Sequence, residues 1–154
     1  MSQPTDDAQA AHKRFAAECN NRSWALSTQA RTPAQDREML DAAHASAWHW
    51  DKIGTDLHRM RATMLLAEVH ALLGQGATAL AYAQEMRAYF LGRHDTPDWE
   101  LAFAHAIYAH AAAVGGRPQE YRAAYGEAAA ALAAIADPKD RAIVAATFDH
   151  VPVP

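Results

Sequence analysis

LLAEVHALLGQGATALAYAQEM, residues 65–86, reads as an apolar helix, a glycine turn and a second, alanine-rich helix. The layout returns in residues 106–128, AIYAHAAAVGGRPQEYRAAYGEA. Laying Gly74 on Gly115 offsets the two copies by 41 residues. A fixed offset of that size marks stacked helical hairpins, none of which can bury its apolar face alone. The expected fold class is therefore all-α: antiparallel hairpins stacked as a short right-handed solenoid of about seven helices. Such an architecture acts by presenting a surface.

Helix boundaries follow from caps and stops. Thr32-Pro33-Ala34-Gln35 sets a capping threonine before a proline, with a glutamine to close the capping box. Thr96-Pro97 and Asp137-Pro138 repeat the cap-then-proline order, and Thr55 can cap a helix from Asp56. Glycines at 54, 74, 76, 92, 115 and 116 supply stops. These signals predict helices over 5–30, 33–52, 56–73, 77–91, 97–114, 118–135 and 138–148, the first with a kink at Asn20-Asn21. Residues 1–150 then form one domain, with hairpins at about 5–52, 56–91 and 97–135, a capping helix at 138–148 and a flexible tail at 151–154. Met60, Met64, Val69 and Leu72 recur at three- to five-residue steps, as an apolar helix face requires.

At 154 residues the chain can bury a core without staples. Alanine supplies much of the 51% hydrophobic content, and mean hydropathy is −0.28. Alanine favours helix and lets neighbouring backbones approach closely. A net charge of −4 offers no basic face for nucleic acid. Cys19 is the single cysteine, so no internal disulfide forms, and a lone thiol fits a reducing, cytoplasmic setting. The polar N-terminus lacks the apolar core of a secretion signal, and the longest apolar run, residues 128–136, is too short for a membrane span.

Residues 65–86 resemble a tetratricopeptide repeat. Leu66, Ala67, His70, Gly74, Ala79 and Ala83 fall in that family's pattern places, His70 standing where an aromatic is usual. In the second copy Ile107, Gly115 and Ala124 match, whereas Tyr108 and Glu120 take small-residue places. The offset of 41 exceeds the family's usual repeat of about 34. Residues 39–55 followed by 65–74 are also similar to a group of uncharacterised bacterial tetratricopeptide-like proteins. The resemblance implies a curved, non-catalytic scaffold that needs no cofactor and binds a protein or peptide, or pairs with itself as a homodimer. It places partner-facing residues on the first helix of each hairpin: Arg61, Met64, Glu68 and Leu72, then His105, Ala109 and Ala113. Met64 and Glu68 stand where a carboxylate clamp would need lysine and asparagine, so that clamp is not expected.

Nine histidines invite a metal reading. Two ligands on one helix face need a spacing of three or four residues. His44 and His49 are five apart, about 140° around a helix, as are His105 and His110. Asp41 with His44 is the best-placed pair, and His70 or His105 from another helix would supply a third ligand. Metal-dependent four-helix bundles of the DinB type collect histidines in that way, which makes a metal-dependent enzyme the rival reading. Buried, hydrogen-bonded histidines are the plainer one. Trp48, His49 and Trp50 form a candidate surface hot spot, because tryptophan is enriched among energetically dominant interface residues. A small-ligand pocket lined by Trp48, Tyr108 and methionines is a third reading. No phosphate loop, GxSxG or paired-carboxylate constellation is present.

Overall fold

The computed structural model describes residues 5–154, so the first four positions of the expected domain lie outside the described residues. Seven helices follow in order: α1 (Asp6–Ser27), α2 (Pro33–Ile53), α3 (Asp56–Leu72), α4 (Gly76–Leu91), α5 (Asp98–Val114), α6 (Pro118–Ala133) and α7 (Pro138–Phe148). No strand occurs among the described residues. Sequential helices joined by short turns pack as the hairpins α1/α2, α3/α4 and α5/α6, and α7 closes the stack against α5. The first helices of successive units also touch one another, α1 on α3, α3 on α5 and α5 on α7.

Caps act largely where the sequence puts them. Thr32 and Gln35 form the reciprocal box, Thr55 accepts from the His58 amide, and Asp137 accepts from the Lys139 amide. Thr96 differs: α5 starts at Asp98 without a side-chain cap, and the Thr96 hydroxyl donates instead to the Phe90 carbonyl at 2.7 Å. It thereby satisfies the end of α4 rather than the start of α5. Helix α1 runs unbroken through Asn20-Asn21. The chain beyond α7 is anchored as far as Pro152: Val151 is buried, and the Tyr121 hydroxyl donates to the Pro152 carbonyl.

The repeat register is 42 rather than 41. Helix α3 with α4 and α5 with α6 begin and end at matching positions when Asp56 is laid on Asp98. The turn glycines agree, because the two with positive φ are Gly74 (71°) and Gly116 (72°), whereas Gly115 has φ −85°. A left-handed residue just past a helix end is the position glycine fills at least cost.

Small residues set the close packing. Ser23 and Ser46 on α1 and α2 donate to the Met39 and Ala16 carbonyls of the opposite helix at 2.9 and 2.8 Å, locking the first hairpin. Helix α5 is the most enclosed element, with Ala102, Ala104, Ala106, Ala109, Ala111 and Ala112 all buried as α3, α4, α6 and α7 close around it. One core runs from Met64 and Met86 through Ile107 to Val144, and a second gathers Leu26, Met39, Leu65 and Val69.

Candidate functional site

Where α1, α3, α5 and α7 converge, a partly open cavity of about 540 Å³ remains. Helix α1 supplies Asn20 and Trp24, and Thr28 just past its end adds to them; α3 supplies Arg61 and Met64; α5 supplies Trp99, Glu100 and Phe103; α7 supplies Ile143 and Thr147. Its walls are aromatic. Trp24 and Phe103 lie 5.6 Å apart centre to centre, and Trp99 meets Phe103 edge-on at 6.1 Å. Ile143 stands at the rim with 60% of its surface exposed, and a smaller hollow beside it continues the groove over Trp99 and Phe103 towards Asp140.

Helix α7 reaches this position through polar ties. The Asp98 carboxylate accepts from the Ala136 amide at 3.0 Å, which pins the α6–α7 connection to the start of α5. The Arg141 guanidinium donates to the Ile135 carbonyl at 2.5 Å.

One charged feature enters the apolar walls. Arg61 donates from Nε to Glu100 Oε1 at 2.6 Å and from Nη2 to Glu100 Oε2 at 3.1 Å. Glu100 is buried, whereas Arg61 stays partly open to solvent and stacks 5.6 Å from the Trp99 ring centre. Hydrogen bonding to Glu100 raises the Arg61 pKa above its already high ordinary value, so the guanidinium is permanently charged. Its Nη1 group takes no part in that fork.

The residues expected on the groove divide. Arg61 and Met64 line the cavity. Glu68, the next place along the same stripe of α3, is fully buried, and neither carboxylate oxygen has a hydrogen-bond partner among the described residues. Burial pushes its pKa up to about 8, against a small opposing pull from Arg31. Leu72 packs beside the Leu26–Met39 cluster. His105 turns away from the cavity towards α6, with Nδ1 3.0 Å from Glu127 Oε2 and Arg87 beside it. Ala109 is buried in the core, and Ala113 is half-buried. Trp24, Trp99, Glu100, Phe103 and Ile143 line the cavity without having been singled out from the sequence.

The expected hot spot splits as well. Trp48 is 56% exposed, with the Lys52 ammonium 5.0 Å from its ring. Trp50 stacks flat on His58 at 4.1 Å, and His49 Nδ1 lies 2.8 Å from His12 Nδ1. Of the residues weighed for a metal, His44 and His70 do meet, Nε2 to Nε2 at 3.1 Å. Among the described residues, no group of three or more His, Cys, Asp or Glu side chains is arranged to hold a metal ion. His110 is buried with Nδ1 unpartnered, and desolvation, with a smaller push from His150, drives its pKa down to about 4.

Compared with known proteins, the chain matches no family model, no curated protein and no solved structure. No helix among the described residues is long and apolar enough to cross a membrane.

Proposed function

We propose that this chain is a non-catalytic interaction scaffold of tetratricopeptide-like build. Its partner is a protein segment carrying a bulky apolar side chain. The observation that supports this reading is the cavity walled by Trp24, Phe103 and Trp99 on the shared face of α1, α3, α5 and α7. First helices of stacked hairpins face a common groove, and aromatic pockets of this kind hold the energetically dominant anchors of an interface. An apolar side chain seated there loses its water, while Arg61 Nη1 donates to a backbone carbonyl and fixes the segment's direction. Release of water from the cavity supplies most of the affinity.

The volume, about 540 Å³, also lies within the range of small-molecule sites, which favours a compact apolar ligand as the second reading.

Selection of peptides from a random display library on the intact chain tests the proposal. Selected segments should share one large apolar residue and lose at least tenfold in affinity against Ile143→Glu. Ile143 is exposed, so that variant keeps its fold. Phe103→Ala should abolish binding and Trp48→Ala leave it unchanged. Segments that bind Ile143→Glu as tightly as the unaltered chain would place the binding surface elsewhere. A small apolar fluorophore that enters the cavity while no peptide competes for it would favour the second reading.

A further inference from the structure

We propose that His44 and His70 form a two-histidine clamp for a divalent transition metal of the zinc type, joining α2 to α3. Their Nε2 atoms face one another at 3.1 Å. Two imidazole nitrogens on one zinc-type ion, each about 2.0–2.1 Å from it, lie roughly 2.9–3.4 Å apart for bond angles from square to tetrahedral. The two side chains already stand at that spacing.

The surroundings of His70 set its lone pair. Its Nδ1 faces the Gln75 side-chain oxygen, an acceptor, and a ring proton on Nδ1 donating to that oxygen would leave the Nε2 lone pair available to an ion. Donation of the far ring nitrogen to a carbonyl is the arrangement that orients metal-ligating histidines. Tyr82 stacks on the His70 ring at 5.7 Å and 29°, which fixes its plane. His44 lies at the surface, and Asp41, one turn earlier on α2, adds negative charge beside it. An ion therefore arrives from solvent, and water completes its coordination.

Without metal, His44 Nε2–H donates to His70 Nε2. On binding, the His44 proton moves to Nδ1, both Nε2 lone pairs turn to the ion, and no net proton is released. A two-ligand clamp is weak and kinetically open, and it leaves coordination positions for an outside donor.

Titration of the full, tag-free chain with zinc chloride, followed calorimetrically and by 15N histidine NMR, tests the assignment. One zinc per chain is expected, with the His44 and His70 Nε2 resonances moving and the His70 Nδ1 proton retained. His44→Gln, a surface change, should lower affinity at least thirtyfold while circular dichroism stays the same. Gln75→Leu should lower it about tenfold by freeing the His70 ring. His12→Gln with His49→Gln should leave affinity unchanged. The assignment fails if the unaltered chain takes up no zinc, if His44→Gln binds as before, or if only the His12/His49 variant loses the ion.

Discussion

Arg61 on α3 and Glu100 on α5 join the first helices of two successive units through a two-pronged ion pair, 2.6 and 3.1 Å, whose carboxylate end is buried beside the cavity. Removing the arginine strands a buried negative charge, which costs more than the pair contributes over an apolar replacement. Arg61→Ala should therefore lower stability by about 3 kcal/mol, whereas Arg61→Leu with Glu100→Leu should return to within about 1 kcal/mol of the unaltered chain. Urea unfolding of the three proteins measures both. Equal losses in the single and double variants would show that the carboxylate finds other partners.

The hairpin order, the seven helices and most caps could be read from proline, threonine and glycine spacing. The register could not, because Gly115-Gly116 offers two glycines for one left-handed position and composition does not choose between them. The difference of one residue turns a helix by about 100°. At an offset of 41, Met64 and Glu68 map to His105 and Ala109, which face α6 and the core. At 42, Arg61 maps to Phe103, which lines the cavity with it. Trp24 and Ile143 had no sequence signal as site residues. They belong to units outside the clear repeat, and only the packing of α1 and α7 on the central pair brings them to the groove. Thr96 carried a sound capping signal that the unfilled Phe90 carbonyl outcompeted.

Glu68 has a folded pKa of about 8 against an ordinary 4.5, since burial penalises its charge. The sign follows from that elevation. Below pH 4.5 the carboxyl is neutral in both folded and unfolded chains, and stability is fully present. As pH rises towards 8 the unfolded chain ionises and the folded one resists, so stability falls, by an amount on the order of 4 kcal/mol. Glu68→Gln should remove that slope, raising the urea midpoint at pH 8 and leaving it nearly unchanged at pH 4.5. An identical midpoint for the two proteins at pH 8 would show that the carboxylate is solvated after all.

His110 occupies in α5 the place of Glu68 in α3, and it titrates in the opposite sense. Its folded pKa of about 4 lies below the ordinary 6.5. Stability from this residue is therefore complete above pH 6.5 and is lost as pH falls through 6.5 towards 4, by roughly 3 kcal/mol. Between pH 4.5 and 6.5 this gain opposes the loss from Glu68, so His110→Leu should unmask an unfolding free energy that falls as pH rises over that interval. Measurements at pH 4.5, 5.5 and 6.5 resolve the slope, and an unchanged slope in the variant would assign acid sensitivity to the more exposed histidines.

Three glycines should respond to alanine in three different ways. A Cβ on Gly76, at the start of α4, would overlap the Val114 carbonyl at the end of α5, where the two backbones abut. Gly76→Ala must push the two hairpins apart, and a loss of about 3 kcal/mol is expected. Gly74 has open space around it but a φ of 71°, so Gly74→Ala carries only the left-handed backbone cost, about 1 kcal/mol. Gly126 lies within α6 with nothing near its missing Cβ and an ordinary helical backbone. There alanine restores helix propensity, and stability should rise by about 0.5–1 kcal/mol. Thermal unfolding orders the variants as Gly126→Ala, unaltered chain, Gly74→Ala, Gly76→Ala from most to least stable. If Gly76→Ala proves as mild as Gly74→Ala, then α4 and α5 do not meet backbone to backbone, and the stacking that shapes the cavity is looser than the contact at Val114 implies.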